Sequence, residues 1–283
     1  MDDRLRPLWD FDDLAGSEKR LRGQLDAERA DAGRAEVLTQ VARVHGLRGN
    51  FDEGDTMLDE AHALGCGARA VEARVDLERG RLRRSSGDPE AARPLFESAH
   101  ASALETEQHF LAADAAHMVA LVAGDRAGFV DWTQRGIEVA ERHESASYWL
   151  GPLLNNLGWE YHEAGDFQPA LDAFERALRA RERDGSNAQA IGIARYAVGK
   201  TLRALGRAEE AIPLLEQAVA WTEKESSPDG WFHEELAEEY AAVGRDEDAR
   251  AQAALAIPLL QRDDPSFPED PDRVARLRTL ASA

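Results

Sequence analysis

The chain has a single cysteine, Cys66, in 283 residues, so no internal disulfide is possible and nothing points to an oxidising compartment. Positive charge is also scarce: 34 Lys+Arg stand against 54 Asp+Glu, a net charge of −20. A surface of that sign repels phosphate backbones and anionic bilayers, so neither nucleic acid nor membrane is expected as a partner. No apolar run reaches the roughly 18 residues of a spanning helix. The opening Met1-Asp2-Asp3-Arg4-Leu5-Arg6-Pro7 has no apolar stretch behind a basic flank, so no signal peptide is read there and a cytoplasmic location is expected. Chemical signatures are missing as well. His143-Glu144 and His233-Glu234 lack a second His four residues after the first, and Cys66 has no nearby cysteine partner and reads as a loop thiol without function. There is no Gly-rich phosphate loop, no Gly-x-Ser-x-Gly elbow and no strand pattern to carry one. The expectation is a protein that is not an enzyme and needs no cofactor or metal.

What the sequence does contain is a repeat. Six turn strings begin at Gly49, Gly87, Gly124, Gly165, Gly206 and Gly244, spaced 38, 37, 41, 41 and 38 residues apart. A glycine can end a helix in the left-handed conformation without a Cβ penalty. Acidic residues then crowd the start of the next helix, where the helix dipole favours them, and Pro89 and Pro169 fall near helix starts. Each string therefore predicts the corner of a hairpin of two helices. Seven residues before each glycine stand Ala42, Gly80, His117, Gly158, Gly199 and Ala237; nine after it, four strings carry Leu58, Phe96, Phe174 and Leu215. Small residues spaced this way let two antiparallel helices approach closely, with the larger side chains as knobs between them.

The stretch Leu154-Asn155-Asn156-Leu157-Gly158-Trp159-Glu160-Tyr161, followed by Gly165, Ala170, Phe174 and Ala177, resembles a tetratricopeptide repeat. The resemblance extends over roughly residues 34–260. It is weakest at 108–140, where His117 and Thr133 take the small and bulky slots and Phe129 replaces a small residue. The spacing is longer than the family's usual ~34 residues and is similar to the repeats of kinesin light chains and of bacterial peptide-sensing regulators. The resemblance implies an all-α, right-handed superhelical solenoid of six hairpins, at 34–64, 70–102, 108–140, 150–182, 191–224 and 230–262. Residues 1–33 are expected to form a strap and a capping helix, with Leu14, Leu21 and Leu25 on one stripe and Ser17 as N-cap. Residues 263–283 are expected as a Pro/acid linker and a short cap, Asp272–Leu280, with Val274 and Leu277 inward. No linker divides the array, so one domain is expected. The apolar Leu8–Phe11 strap has two readings, packing on the first hairpin or docking onto a partner or onto the chain's own groove.

In this family the first helix of each hairpin lines a concave groove where ligands lie. The resemblance places Asn155, Asn156, Trp159, His162, Tyr196, Lys200 and Arg203 in that groove. Asparagine is a poor mid-helix residue, and a carboxamide can both donate to and accept from an extended peptide. Asn156 with Lys200 and Arg203 resembles a clamp for a peptide backbone or a terminal carboxylate; the other reading has the two asparagines bridging hairpins or solvated. Trp159 and Tyr196 serve either as ligand contacts or as packing between hairpins. The first two repeats direct Arg43, Arg74, Arg81 and Arg84 inward and the sixth Trp231, Glu234, Glu235 and Glu238, while Phe129 and Trp132 suggest a surface for self-association. The expected function is a scaffold that binds a peptide segment of a partner protein, one with an anionic group or C-terminal carboxylate among the candidates. A ligand-responsive regulator is the alternative.

Overall fold

The computed structural model describes residues 4–65, 67–185 and 188–282; the Cys66 thiol lies outside the described residues. These residues form fourteen α-helices and no strand. None of the helices is long and apolar enough to cross a membrane. The chain divides into two compact units, residues 1–153 and 154–283, and each is an all-α solenoid of stacked hairpins.

In chain order the helices are α1 (Leu14–Ala27), α2 (Asp31–Leu47), α3 (Phe51–Gly65), α4 (Arg69–Ser85), α5 (Pro89–Glu105), α6 (His109–Ala120), α7 (Arg126–Arg142), α8 (Leu150–Glu163), α9 (Phe167–Arg183), α10 (Ala188–Ala204), α11 (Ala208–Lys224), α12 (Gly230–Ala242), α13 (Asp246–Asp263) and α14 (Pro271–Ser282). The even-numbered helices α2 to α12 end at the turn glycines, all six of which have φ between 71° and 93°. At Gly165 the glycine N–H donates to the His162 carbonyl at 3.0 Å and the next N–H, of Asp166, reaches back to Tyr161 at 2.9 Å. This pair of bonds satisfies carbonyls that the helix end would otherwise leave bare, and only a residue at positive φ can close it. The same pair recurs at Gly49, Gly87, Gly206 and Gly244 but not at Gly124, where α6, at 12 residues the shortest of the six first helices, ends. Two further corners, between consecutive hairpins, use the same bonding with Glu107 and Ser226 at φ 55°. Those residues carry no glycine signature, so the repeat pattern does not announce them.

The small residue of the first helix meets the large one of the second. A Cβ built on Gly80 would lie 2.5 Å from the Phe96 ring, one on Gly158 2.5 Å from Phe174, and one on Gly199 3.0 Å from Leu215. In the first hairpin the slots hold Ala42 and Leu58, both fully buried. The third hairpin inverts the sizes: Thr133 is buried, and the His117 ring lies 5.4 Å from that of Trp149, in a 3-10 segment after α7. Phe129 and Trp132 are half-buried, and Trp132 meets the His100 ring edge-on at 5.3 Å.

At the amino end, α1 is capped by the Asp13 carboxylate, which accepts from the Gly16 N–H at 2.8 Å. Ser17 is therefore not the cap. It is buried four residues further in, and its hydroxyl ties both the N–H and the carbonyl of Asp10. This holds the strap in place: Leu5 is buried with Leu21, Val37, Val41 and Val44, and Leu8 and Trp9 pack on that cluster. The Trp9 indole donates to Gln40 at 3.0 Å and stacks on Phe11 at 5.1 Å. At the carboxyl end Phe267 and Leu277 are fully buried against Ala237, Ala253, Ala256 and Leu260, with Val274 packed beside them.

Gly158→Ala forces a methyl into the Phe174 ring and is expected to cost about 1–3 kcal/mol. Adding Phe174→Leu, which reproduces the Ala42/Leu58 arrangement, recovers much of that loss; urea unfolding of the single and double variants measures both. Ser226→Gly relieves an L-residue held at positive φ and raises stability by up to about 1 kcal/mol in the same assay.

Candidate functional site

In the second unit α10, α12 and α14, together with Trp159 of α8, surround an open cavity of about 500 Å³. Its floor is ionic. Arg203 of α10 donates to both oxygens of Glu235 of α12, at 2.5 and 3.2 Å, and the Lys200 ammonium lies 3.6 Å from the same carboxylate. Glu235 is only 2% exposed, so this pair sits where water screens it little. Lys200 also donates to the Tyr196 hydroxyl at 3.2 Å. Burial opposes the Lys200 charge, but the Tyr196 and Glu235 partners outweigh it and hold the ammonium above its ordinary value. Burial pushes the Tyr196 phenol up.

The opposite wall repeats the chemistry, with α12 again supplying the acid. Arg273 of α14 donates to both oxygens of Glu234, at 2.7 and 2.5 Å, and to Asp264 at 2.8 Å. Arg276 bonds to Glu238 and lies 3.7 Å from Glu234. Trp159, Tyr196 and Trp231 supply the apolar part of the lining. Trp159 divides its surface between the cavity and the core, where its ring meets Phe174 edge-on at 5.0 Å.

One carboxyl near this floor has no partner. Glu239 is fully buried, and neither of its oxygens accepts a hydrogen bond. Burial, reinforced by the neighbouring Glu235 charge, pushes its pKa up to about 8, so the group is largely protonated at neutral pH.

Of the seven residues assigned to the groove from sequence, Trp159, Tyr196, Lys200 and Arg203 come together on the cavity wall. Asn155, Asn156 and His162 are half-buried and do not line it. The Asn155 side-chain carbonyl is buried without a hydrogen bond. The His162 ring packs edge-on against Trp159 and Phe167, and burial, with the nearby Lys200 charge, lowers its pKa. Sequence reasoning missed Arg273 and Arg276, because α14 reads as a cap whose only task is to present Val274 and Leu277. The available signal was their three-residue spacing, matched to the four-residue spacing of Glu234 and Glu238 on α12. Among the described residues, no three His, Cys, Asp or Glu side chains converge as a metal-ligand set.

Residues 153–183 and 193–225 each match a family profile of the tetratricopeptide repeat. No curated protein sequence matches the chain. Among solved structures, the apo form of RapI is 12% identical, with a TM-score of 0.72 over 98% of this chain and 79% of that one. BtubC from P. vanneervenii is 17% identical, with a TM-score of 0.58 over 77% of this chain and 90% of its own. Aspartyl phosphate phosphatase F from Bacillus subtilis is 15% identical, with a TM-score of 0.58 over 98% and 76%. At these identities the likeness is one of fold.

A carboxyl whose folded pKa is raised contributes stability that is complete below its unfolded value of 4.5 and is lost as pH climbs through about 8. Glu239→Gln keeps the shape and removes the titration. Its stability relative to wild type therefore rises between pH 4.5 and 8 and levels off above; urea midpoints at pH 5, 7 and 8.5 check the trend.

Proposed function

Because the chain is a tetratricopeptide-repeat protein, we propose that it is a non-catalytic interaction module whose second unit holds a peptide segment of a partner protein in the cavity between α10, α12 and α14. The observation that carries this reading is the lining itself: three aromatic side chains and three cation–carboxylate pairs around one open space of about 500 Å³. Aromatic and arginine side chains dominate binding energy at protein interfaces, because they combine large contact area with directional polar groups.

The charges lining the cavity are already matched to one another, which constrains the ligand. A carboxylate on the bound segment, a C-terminal one included, reaches Lys200 and Arg203 by taking the place of Glu235. A basic residue reaches Glu234 or Glu238 in the same way, by displacing Arg273 or Arg276. Affinity then depends on exchange of ion pairs, and the aromatic lining supplies the net gain. Exchange at Glu235 also unfastens α12 from α10, which supports a second reading in which binding alters helix spacing and the protein acts as a regulator.

Selection of displayed random peptides with free C-termini on the full-length chain tests the proposal. Enriched peptides are expected to bind the wild type and to lose at least about tenfold in affinity, roughly 1.4 kcal/mol, on the Lys200→Gln/Arg203→Gln/Glu235→Gln variant. That variant removes the three charges together, so Glu235 is not left as a buried carboxylate without its cations. Circular dichroism and urea unfolding confirm its fold. Failure to enrich any peptide, or equal binding to both proteins, removes this cavity as the site.

A further inference from the structure

Helix α4 carries six arginines, and five are matched to carboxylates within the first unit. Arg69 meets Glu105 at 2.6 Å, Arg74 meets Glu36 at 2.9 Å, Arg79 meets Asp59 at 2.6 Å, Arg81 meets Asp114 at 2.5 Å and Arg83 meets Asp55 at 2.6 Å. The sixth, Arg84, is exposed and has no carboxylate partner among the described residues. It lines a cavity of about 290 Å³ whose apolar walls are Leu47, Leu82, Met118 and Leu121, so α2, α4 and the end of α6 all contribute. Leu47 and Leu121 are 51% and 38% exposed, two large aliphatic side chains left facing solvent beside the cavity.

On a protein of net charge −20, an unmatched guanidinium at an apolar cavity is a local reversal of the surface field. The geometry points to a docking site for an acidic segment of a partner protein. A large aliphatic side chain of that segment enters the cavity against Leu82 and Met118, and an adjacent Asp or Glu carboxylate pairs with Arg84. The chain's own strap supplies a precedent on the neighbouring face. There the acidic, apolar stretch Leu8-Trp9-Asp10-Phe11 docks with the Arg43 guanidinium 5.5 Å from both the Trp9 and the Phe11 ring. Arg43 also lines the cavity beside Arg84, so the face that holds the strap continues into the face left open. This site belongs to the first unit and is separate from the cavity of the second.

The test uses the full-length protein and two fluorescein-labelled hexapeptides with blocked ends, Asp-Leu-Asp-Asp-Leu-Asp and its counterpart with Lys for every Asp, read by fluorescence anisotropy. The acidic peptide is expected to bind saturably and the basic one not. Arg84→Glu and Leu121→Asp, both at exposed positions, each weaken the acidic peptide at least about tenfold with unchanged urea midpoints. The Lys200→Gln/Arg203→Gln/Glu235→Gln variant binds it as the wild type does. Four results overturn the inference: no saturable binding, equal binding of the two peptides, indifference to Arg84→Glu, or loss in the triple variant. The last would assign the peptide to the second unit. Binding that survives Arg84→Glu but is lost on Gln40→Ala would show exchange with the strap, and would overturn it as well.

Discussion

The close approach of the two helices in a hairpin is the constraint on which the rest of this architecture depends. At Gly80 and Gly158 the absence of a side chain lets a phenylalanine ring from the second helix lie where a Cβ would be, 2.5 Å from its position. Close packing of this kind is sensitive to a single methyl, because interiors are as dense as molecular crystals. The same first helices that close on the core, α10 and α12, place Lys200, Arg203, Glu234 and Glu235 around an open space. The core contact and the site thus depend on the same helices.

The inner face follows its own rule. Six residues before the turn glycines stand Arg43, Arg81, Met118, Trp159, Lys200 and Glu238; nine before stand Gln40, Glu78, Ala115, Asn156, Ala197 and Glu235. Two of the three bases in the first slot face an acid in the second slot of the next hairpin: Arg43 lies 3.8 Å from Glu78, and Lys200 lies 3.6 Å from Glu235. Carboxylates as buried as Glu78 and Glu235, each 2% exposed, stand beside cations that offset the cost of burying them. Glu239, one helical turn beyond Glu235, has none and responds by holding its proton.

The hairpins, their corners and the small-against-large packing were legible because each depends on residue types with few substitutes. A positive φ at a helix end selects glycine, and a ring pressed on a helix backbone selects glycine or alanine opposite it. The third hairpin, where His117 and Thr133 invert the sizes, could be flagged but not resolved, since its packing depends on Trp149 from outside the repeat. The corners at Glu107 and Ser226 were invisible because residues with no special preference for positive φ adopt it there. For the site, spacing identified which residues face inward, and four of seven reach the cavity wall. It could not show that Lys200 and Arg203 are already occupied by Glu235, nor that α14 returns two arginines to the same space. Those facts depend on distances between helices, which a one-dimensional pattern does not carry.

The corner at Gly124 has a consequence for how the first unit opens. Elsewhere the last turn of the first helix is locked by two backbone bonds, whereas between α6 and α7 the pair is missing. Local opening free energies follow the number of buried bonds that a segment must break. Amide deuteration of the native protein therefore enters the first unit at residues 121–125, ahead of the corners at Gly49 and Gly87. The helix released there, α6, carries Met118 and leads into Leu121, so this opening would reshape an apolar surface without unfolding either neighbouring hairpin.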